Sequence, residues 1–288
     1  VGERCRRLAS GLQSLGVERG DTVALLAPNT PEAFECAFGV PMLGAVLNAN
    51  NTRLDAGTIA YILEHGEAKV FLVDTELSAT ARDALAQIDR DVIVVDIEDS
   101  EGPGGERIGS MTYDELLAKG DADFAYELPA DEWDALSLNY TSGTTGRPKG
   151  GPQTFRMAFI NCVNASAAIG MTAASRSLTF LPLFHTAGLN TYLLPMLHNG
   201  AHTTVMRSFD PGEVLRVIGD PSAGITHFLG VPANYLFMSQ HPDFEATDFS
   251  RIVAATVGGA PTPRPLLTLY AERKGVVIRQ GFGMTETS

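Results

Sequence analysis

The chain has 288 residues and a mass of 30.7 kDa, with 44% hydrophobic and 19% charged residues. This length and composition are typical of a folded globular protein and exclude an intrinsically disordered chain. Lysine and arginine together number 21 and aspartate and glutamate 34, which gives a net charge of −13. Such an acidic chain is a poor candidate for nucleic-acid binding, whereas a local loop could still bind a small anion.

Cysteine content and hydropathy narrow the class of protein further. The three cysteines, Cys5, Cys36 and Cys162, are odd in number and lack CxxC spacing, which predicts neither a disulfide framework nor a zinc site. A reducing compartment fits this pattern, so we expect a cytoplasmic location. No apolar run reaches the roughly 18 residues of a membrane helix, and no signal peptide is visible. Because Val1 falls inside an apparent helix and the chain stops abruptly at Ser288, we expect a piece of a longer protein.

The predicted elements alternate between helix and strand from the first residues onward. Leu8, Leu12 and Leu15 recur at helical spacing, and Gly16 follows as a stop. Further helices are predicted from Pro31, over 55–63 with Asp55 as the N-cap, over 77–88, over 154–169, over 189–197 and from 211, and a capping-box pattern at 112–115 predicts a short helix after it. Strands are predicted over 22–27, 69–74, 91–96, 135–140, 177–181, 203–206, 225–229, 252–257 and 276–279. This rhythm indicates an α/β fold with two largely parallel sheets covered by helices, and a glycine-rich loop starting near 98 suggests a joint near 98–134.

The segment 141–150, Thr-Ser-Gly-Thr-Thr-Gly-Arg-Pro-Lys-Gly, is the strongest functional signal. It follows a predicted strand and precedes a predicted helix. Glycines let backbone N–H groups approach a ligand, hydroxyls donate hydrogen bonds and a lysine adds positive charge, so the segment is suited to phosphate. It is not a Walker A loop, because Gly150 follows Lys149 where that motif requires Ser or Thr. A flexible Gly/Thr linker is the alternative interpretation.

The order of the motifs resembles the adenylate-forming superfamily, which includes acyl-CoA synthetases, aryl-CoA ligases, luciferases and the adenylation domains of peptide synthetases. The segment 141–150 is similar to the phosphate loop of that superfamily. The other matching segments are Leu-Pro-Leu-Phe-His at 181–185, Gly-Val-Pro at 230–232, Gly-Gly-Ala-Pro at 258–261, Gln-Gly-Phe-Gly-Met-Thr-Glu at 280–286 and Asn-Thr-Arg-Leu at 51–54. The resemblance covers nearly the whole chain. It implies the layered αβαβα core of the large N-terminal AMP-binding domain, with two intertwined sheet subdomains, over residues 1–288.

The resemblance implies an ATP-dependent acid–thiol ligase that needs Mg²⁺. A carboxylate attacks the α-phosphate of ATP and releases pyrophosphate, and the thiol of coenzyme A then attacks the acyl-adenylate. The catalytic residues it implies are Lys149, His185, Thr285 and Glu286, of which Glu286 would also be the metal ligand. The implied nucleotide-binding residues are Thr141, Ser142, Gly143, Thr144, Thr145, Gly146, Lys149, Gly259, Ala260, Pro261, Gln280, Gly281, Phe282, Gly283, Met284 and Thr285. Residue type alone favours a packed core residue for His185 and an ordinary surface acid for Glu286, and the resemblance reverses both interpretations.

The predicted substrate is a fatty carboxylate of medium or long chain. The implied substrate-binding residues are His185, Ala187, Thr191, Gly230, Val231 and Gly258, and an aliphatic wall favours a hydrocarbon chain. The alternatives are an aryl-acid CoA ligase of cinnamate or benzoate type and a non-catalytic nucleotide- or acyl-binding module. We expect a small carboxylate, ATP and coenzyme A as partners. We expect neither a nucleic-acid partner nor an integral membrane segment. A homodimer is the oligomeric state that we consider.

Two departures from the family pattern qualify these expectations. The family has Thr-His shortly after its phosphate loop, where this chain has Thr154 and Phe155. The family's ribose-binding aspartate, its catalytic lysine, its small β-barrel and its C-terminal domain all fall beyond Ser288. We therefore expect these 288 residues by themselves to be inactive.

Overall fold

A computed structural model describes residues 1–141 and 146–287 of the chain. The chain divides into two compact units, Val1–Arg156 and Met157–Ser288. The joint predicted near 98–134 lies within the first unit, and its role as a subdomain boundary stays a prediction. Among the described residues, no helix combines the length and hydropathy that a membrane span needs.

The first unit is built on a seven-stranded sheet with the strand order β5-β4-β3-β1-β2-β6-β7. Its elements in chain order are α1 (Gly2–Ser14), β1 (Thr22–Leu26), α2 (Pro31–Met42), β2 (Val46–Ala49), α3 (Ala56–His65), β3 (Ala68–Asp74), α4 (Ser78–Leu85), β4 (Ile93–Ile97), β5 (Met111–Thr112), α5 (Tyr113–Lys119), β6 (Ala135–Thr141) and β7 (Lys149–Thr154). All the described pairings are parallel except that of β6 with β7.

Alternation along the central strands gives this sheet two buried faces. In β1, Val23 and Leu25 belong to one core cluster and Ala24 and Leu26 to another. The first cluster contains residues of α1, α2 and α5, and the second contains residues of α3 and α4. Because successive side chains of a strand point to opposite faces, a strand buried along its whole length, such as β1, requires helices on both sides. The first unit is therefore a three-layer α/β/α structure.

Local capping sets where several of these helices begin. The Thr30 hydroxyl accepts a hydrogen bond from the N–H of Ala33 at 3.2 Å, directly before Pro31 at the start of α2. Asp55 caps α3 in the same way, and Thr112 and Glu115 form the predicted capping box of α5. These contacts satisfy backbone donors that a helix leaves unpaired at its first turn. The predicted starts of the three helices are confirmed.

The second unit contains a five-stranded sheet with the order β12-β11-β10-β8-β9, in which every described pairing is parallel. Its elements are α6 (Phe155–Ile169, which begins at the end of the first unit), β8 (Arg176–Thr179), α7 (Thr186–Gly188), a π-helical turn (Leu189–Leu193), α8 (Leu194–His198), β9 (His202–Val205), α9 (Pro211–Gly219), β10 (His227–Gly230), α10 (Pro232–Gln240), β11 (Ala254–Val257), α11 (Arg264–Lys274) and β12 (Ile278–Gln280). Short 3₁₀ turns lie at Thr75–Leu77, Pro242–Phe244 and Thr285–Thr287. The predicted α/β class with two largely parallel sheets is confirmed.

The segment after the phosphate loop differs from the prediction. The helix predicted over 154–169 is found as α6, but the sequence did not predict the strand β7 before it, which pairs antiparallel with β6, with Tyr140 opposite Gly150 and Thr141 opposite Lys149. Glycine and proline at 150–152 are weak strand formers, so local propensity did not indicate a strand. Pairing with β6 supplies the backbone hydrogen bonds that make this stretch extended. The sequence pattern also missed β2, α10 and α11.

Candidate active site

Four of the motifs in the second unit lie at one edge of its parallel sheet. The segment with His185 follows β8, Gly230 ends β10, Gly258 follows β11 and Gly281 follows β12. The backbone joins three of these ends, because Gly258 N–H donates to the Gly230 carbonyl at 3.2 Å and Gly281 N–H donates to the Val257 carbonyl at 2.8 Å. In open α/β sheets, ligands bind outside the carboxyl ends of the strands. The motifs of this unit therefore converge where such a sheet binds its ligands.

His185 caps the short helix α7 through its backbone. Its N–H donates to the Pro182 carbonyl at 3.1 Å, and its carbonyl accepts hydrogen bonds from Gly188 and Leu189 at 3.0 and 3.1 Å. His185 is exposed, yet desolvation by the surrounding protein lowers the pKa of its imidazole below the usual value. The ring is therefore neutral at neutral pH, with one nitrogen able to donate a hydrogen bond. Such a ring can orient a carboxylate by hydrogen bonding without a permanent charge.

The residues expected to line the acyl pocket occupy different surroundings. Ala187 borders an apolar gap, closed by Leu229 and Tyr192, that is too narrow to admit a water molecule. A Cβ atom at Gly230 would lie 3.2 Å from the Tyr235 ring, so this glycine packs against α10. Thr191, Val231 and Gly258 are half-buried. The position of Gly230 is thus explained by close packing alone, and its predicted role in substrate binding stays a prediction.

The nucleotide-side residues are mostly exposed. Gly259 has a left-handed backbone conformation with φ of 78°, which favours glycine, and Ala260 and Pro261 that follow it are exposed. The side-chain oxygen of Gln280 accepts a hydrogen bond from the N–H of Thr262 at 3.4 Å and so links this loop to β12. Beyond β12, four exposed residues lead to Thr285 and Glu286, namely Gly281, Phe282, Gly283 and Met284.

Thr285 and Glu286 lie in the 3₁₀ turn Thr285–Thr287, with the Glu286 side chain exposed. The turn is closed by the N–H of Thr287, which donates to the Met284 carbonyl at 3.1 Å. Within the residues that the structure describes, no group of three or more His, Cys, Asp or Glu side chains could hold a metal ion. A carboxylate is nevertheless a hard oxygen ligand of the kind Mg²⁺ prefers, usually together with substrate phosphates and water. Glu286 fits the role of a single protein ligand.

In the first unit, the phosphate-loop segment connects the antiparallel strands β6 and β7. Thr141 ends β6, and Gly146 and Lys149 on the other side are both exposed. A Cβ atom at Gly146 would meet no atom of the described residues within 4 Å, so packing against them does not explain that glycine. The predicted nucleotide-binding residues Ser142, Gly143, Thr144 and Thr145 lie outside the described residues.

Two sets of neighbouring side chains were not singled out from the sequence. The Tyr192 hydroxyl lies 2.8 Å from the Thr256 hydroxyl, and the Tyr235 hydroxyl donates to the Thr256 carbonyl at 2.7 Å, so both tyrosines buttress β11 just before Gly258. In the first unit, the rings of Tyr61 and His65 lie against Tyr140. Isolated tyrosines carry no motif, and the only sequence signal was that Tyr140 directly precedes the phosphate loop.

Comparison with known proteins gives these observations a family context. The family model described as AMP-binding enzyme matches residues 1–288. The chain is 38% identical over 292 residues to the "probable acyl-activating enzyme 5, peroxisomal" of Arabidopsis thaliana, covering 99% of this chain and 52% of that protein. It is 36% identical to "2-methylpropanoate–CoA ligase CCL4" of Humulus lupulus, with 99% and 51% covered.

A solved structure of the anthranilate CoA ligase AuaEII in complex with anthranoyl-AMP has the same fold. It superposes with a TM-score of 0.90 at 25% identity, and the match covers 99% of this chain and 54% of that one. The chain spans about half the length of the curated relatives it matches. Since the family model matches from the first residue to the last, the resemblance indicated by the motifs is confirmed, and the chain belongs to the family of AMP-binding enzymes.

Proposed function

We propose that this chain forms the nucleotide- and acyl-binding part of an ATP-dependent ligase that activates a carboxylate as its acyl-adenylate and transfers the acyl group to coenzyme A. The observation that carries the proposal is the convergence of the His185, Gly230, Gly258 and Gly281 segments at the carboxyl edge of one parallel sheet. The complex of AuaEII with anthranoyl-AMP supports adenylate chemistry on this fold.

The proposed first step joins a carboxylate oxygen to the α-phosphorus of ATP and breaks the bond to pyrophosphate. Lys149, exposed at the start of β7, would neutralise charge on the β- and γ-phosphates, and Thr285 would donate a hydrogen bond to the α-phosphate. Glu286 would hold Mg²⁺, which supplies further neutralisation of phosphate charge when bound. The neutral imidazole of His185 would orient the carboxylate.

In the proposed second step, the thiolate sulfur of coenzyme A bonds to the acyl carbon, and AMP leaves with the electrons of the acyl–oxygen bond. An equivalent transfer to a carrier-protein thiol would follow the same chemistry.

For the acid, we propose an aliphatic chain of medium or long length, because the surfaces at Ala187, Val231 and Gly258 are small or aliphatic. An aryl acid is the second candidate, and the anthranoyl group in AuaEII favours it. The hop relative is described as a ligase of a short branched acid, so chain length has to be measured. The cytoplasmic location remains a prediction, because the Arabidopsis relative is described as peroxisomal. The homodimer also remains a prediction.

The test is acid-dependent exchange of labelled pyrophosphate into ATP by the complete gene product, with 2-methylpropanoate, dodecanoate and cinnamate as acids. Lys149→Ala should lower exchange by about 10²-fold, the usual cost of losing one transition-state donor. Lys119→Ala, which changes an exposed lysine of the same unit, should leave exchange unchanged. ATP binding without exchange for any acid would support the binding-module alternative and refute the enzymatic proposal.

A further inference from the structure

The C-terminal half of α3 carries two rings that face the phosphate-loop segment. Tyr61 and His65 are one helical turn apart, with ring centroids separated by 5.2 Å. Both meet the Tyr140 ring nearly edge-on, at centroid distances of 6.4 and 5.8 Å and interplanar angles of 81°. His65 Nδ1 lies 2.7 Å from the Tyr140 hydroxyl, a hydrogen bond between residues 75 positions apart. The last residue but one of β6 is thereby attached to α3.

The other side of the same segment reaches the same helical turn. The guanidinium carbon of Arg147 lies 5.3 Å from the centroid of the Tyr61 ring, which is a cation–π contact. Tyr140 precedes residues 142–145 and Arg147 follows them. Tyr61 therefore contacts both flanks of the segment, and His65 reinforces one of them.

Two glycines make room for this arrangement. A Cβ atom at Gly66 would lie 3.2 Å from the Tyr140 hydroxyl, and one at Gly150 would lie 3.3 Å from the ring carbon that bears that hydroxyl. The Tyr140 ring thus fits against backbone from the end of α3 and from β7. Burial and the nearby Tyr61 raise the pKa of Tyr140 to about 12, so its hydroxyl stays protonated and available for hydrogen bonding at neutral pH.

A role in core packing does not account for the contact with Arg147. Tyr61 and Tyr140 are only half-buried, His65 and Arg147 are exposed, and none of the four belongs to the core clusters of the described residues. A cleft of about 600 Å³ borders both Tyr61 and Arg147, so solvent reaches this contact. What the contact does determine is where the flanks of the phosphate-loop segment lie.

We propose that Tyr61 and His65 are positioning residues that hold the two flanks of the phosphate-loop segment, Tyr140 and Arg147, in the arrangement that binds the phosphates of ATP. The inference rests on the proposed function, because it assumes that segment 141–150 binds ATP. Holding the flanks in place before ATP binds reduces the entropy lost on binding. Loss of the contacts that Tyr61 and His65 make with the flanks should therefore weaken ATP binding. The rate of the chemical step at saturating ATP should change little.

The chain offers a matched control at the opposite end of the same hairpin. Trp133 lies just before β6 and Arg156 just after β7. The guanidinium carbon of Arg156 is 5.7 Å from the centroid of the Trp133 ring. Trp133→Leu removes an exposed cation–π contact of the same kind without touching the phosphate-loop segment. Tyr61→Phe retains the aromatic face and should behave as wild type, whereas Tyr61→Leu removes it.

The experiment measures the dissociation constant of ATP by calorimetry and the KM for ATP and kcat in pyrophosphate exchange, with the complete gene product. Tyr61→Leu should raise both the dissociation constant and the KM about threefold to tenfold with kcat nearly unchanged. Tyr61→Phe and Trp133→Leu should match wild type. Because both residues of the pair act through one contact, the effects of Tyr61→Leu and Arg147→Gln should be less than additive in the double variant.

Different failures separate the two proposals. If wild type does not bind ATP, the proposed function is refuted and this inference with it. If wild type binds ATP and a folded Tyr61→Leu variant binds it equally well, only the inference is refuted. The inference is also refuted if Tyr61→Phe loses as much affinity for ATP as Tyr61→Leu. It is likewise refuted if Trp133→Leu loses as much affinity as Tyr61→Leu. If Tyr61→Leu fails to fold, His65→Ala tests the same inference, because it changes an exposed side chain that contacts Tyr140. Weaker ATP binding by His65→Ala supports the inference, and unchanged binding refutes it.

Discussion

Gly188 lies against the main chain of the segment that carries His185, so replacing it with alanine tests how tightly this part of the candidate site is packed. A Cβ atom at 188 would lie 2.3 Å from the carbonyl oxygen of Pro182 and 2.8 Å from that of Leu181. Both atoms are backbone, which cannot rotate away as a flexible side chain would. The main chain around Pro182 would have to move by an amount on the order of 1 Å to restore an ordinary contact.

The cost follows from two opposing effects. Overpacking of this kind destabilises a protein by about 1–3 kcal/mol, whereas alanine in a helical position gains about 0.5–1 kcal/mol over glycine. We expect Gly188→Ala to lower the free energy of unfolding by about 1–2 kcal/mol, which corresponds to a fall in Tm of about 3–8 °C for a unit of this size. Gly219→Ala is the matched control, because its new methyl group meets only a side-chain methyl of Thr247, at an ordinary 3.5 Å.

Thermal unfolding followed by circular dichroism measures the stability of both variants. Since the Pro182 carbonyl accepts the His185 N–H, the shift should also displace the imidazole and reduce acid-dependent pyrophosphate exchange in Gly188→Ala alone. A Gly188→Ala variant as stable and as active as Gly219→Ala would refute this account of the packing.

Further predictions concern acid stability and capping. Burial, with a smaller contribution from Arg279, lowers the pKa of His227, and burial lowers that of His185, so the unfolded chain binds protons more readily. The free energy of unfolding should therefore be highest above about pH 6.5 and fall as the pH drops below that value. Urea titrations at pH 7 and pH 5 measure this fall in the free energy of unfolding. His227→Asn should reduce the fall, and the exposed control His202→Asn should leave it unchanged. The same fall in His227→Asn as in wild type would contradict the role given to His227. Separately, Thr30→Ala should cost about 1 kcal/mol in the same titrations by removing the cap of α2, and an unchanged midpoint would argue against that cap.

The sequence by itself determined the features that depend on a few neighbouring residues. The caps at Thr30, Asp55 and Thr112 lie within four residues of the backbone groups that they satisfy, so their patterns predicted helix starts correctly. The largely apolar stretch that became β1 indicated a buried strand, and the alternation of strands with helices indicated parallel sheets covered by helices. The order of the motifs also indicated the AMP-binding family, because their spacing is a property of the chain alone.

Tertiary structure decided what local signals could not express. The residues at 149–154 form a strand because β6 supplies partners for their backbone, although their glycines and proline are weak strand formers. The His185 and Gly258 segments lie at the same sheet edge because β8, β10 and β11 are neighbouring parallel strands, in an order that does not follow chain order. The contact of Tyr61 with Tyr140 depends in the same way on α3 lying beside a strand formed many residues later. Such contacts arise only when distant segments pack together, so their residues carry no local pattern from which they could be predicted.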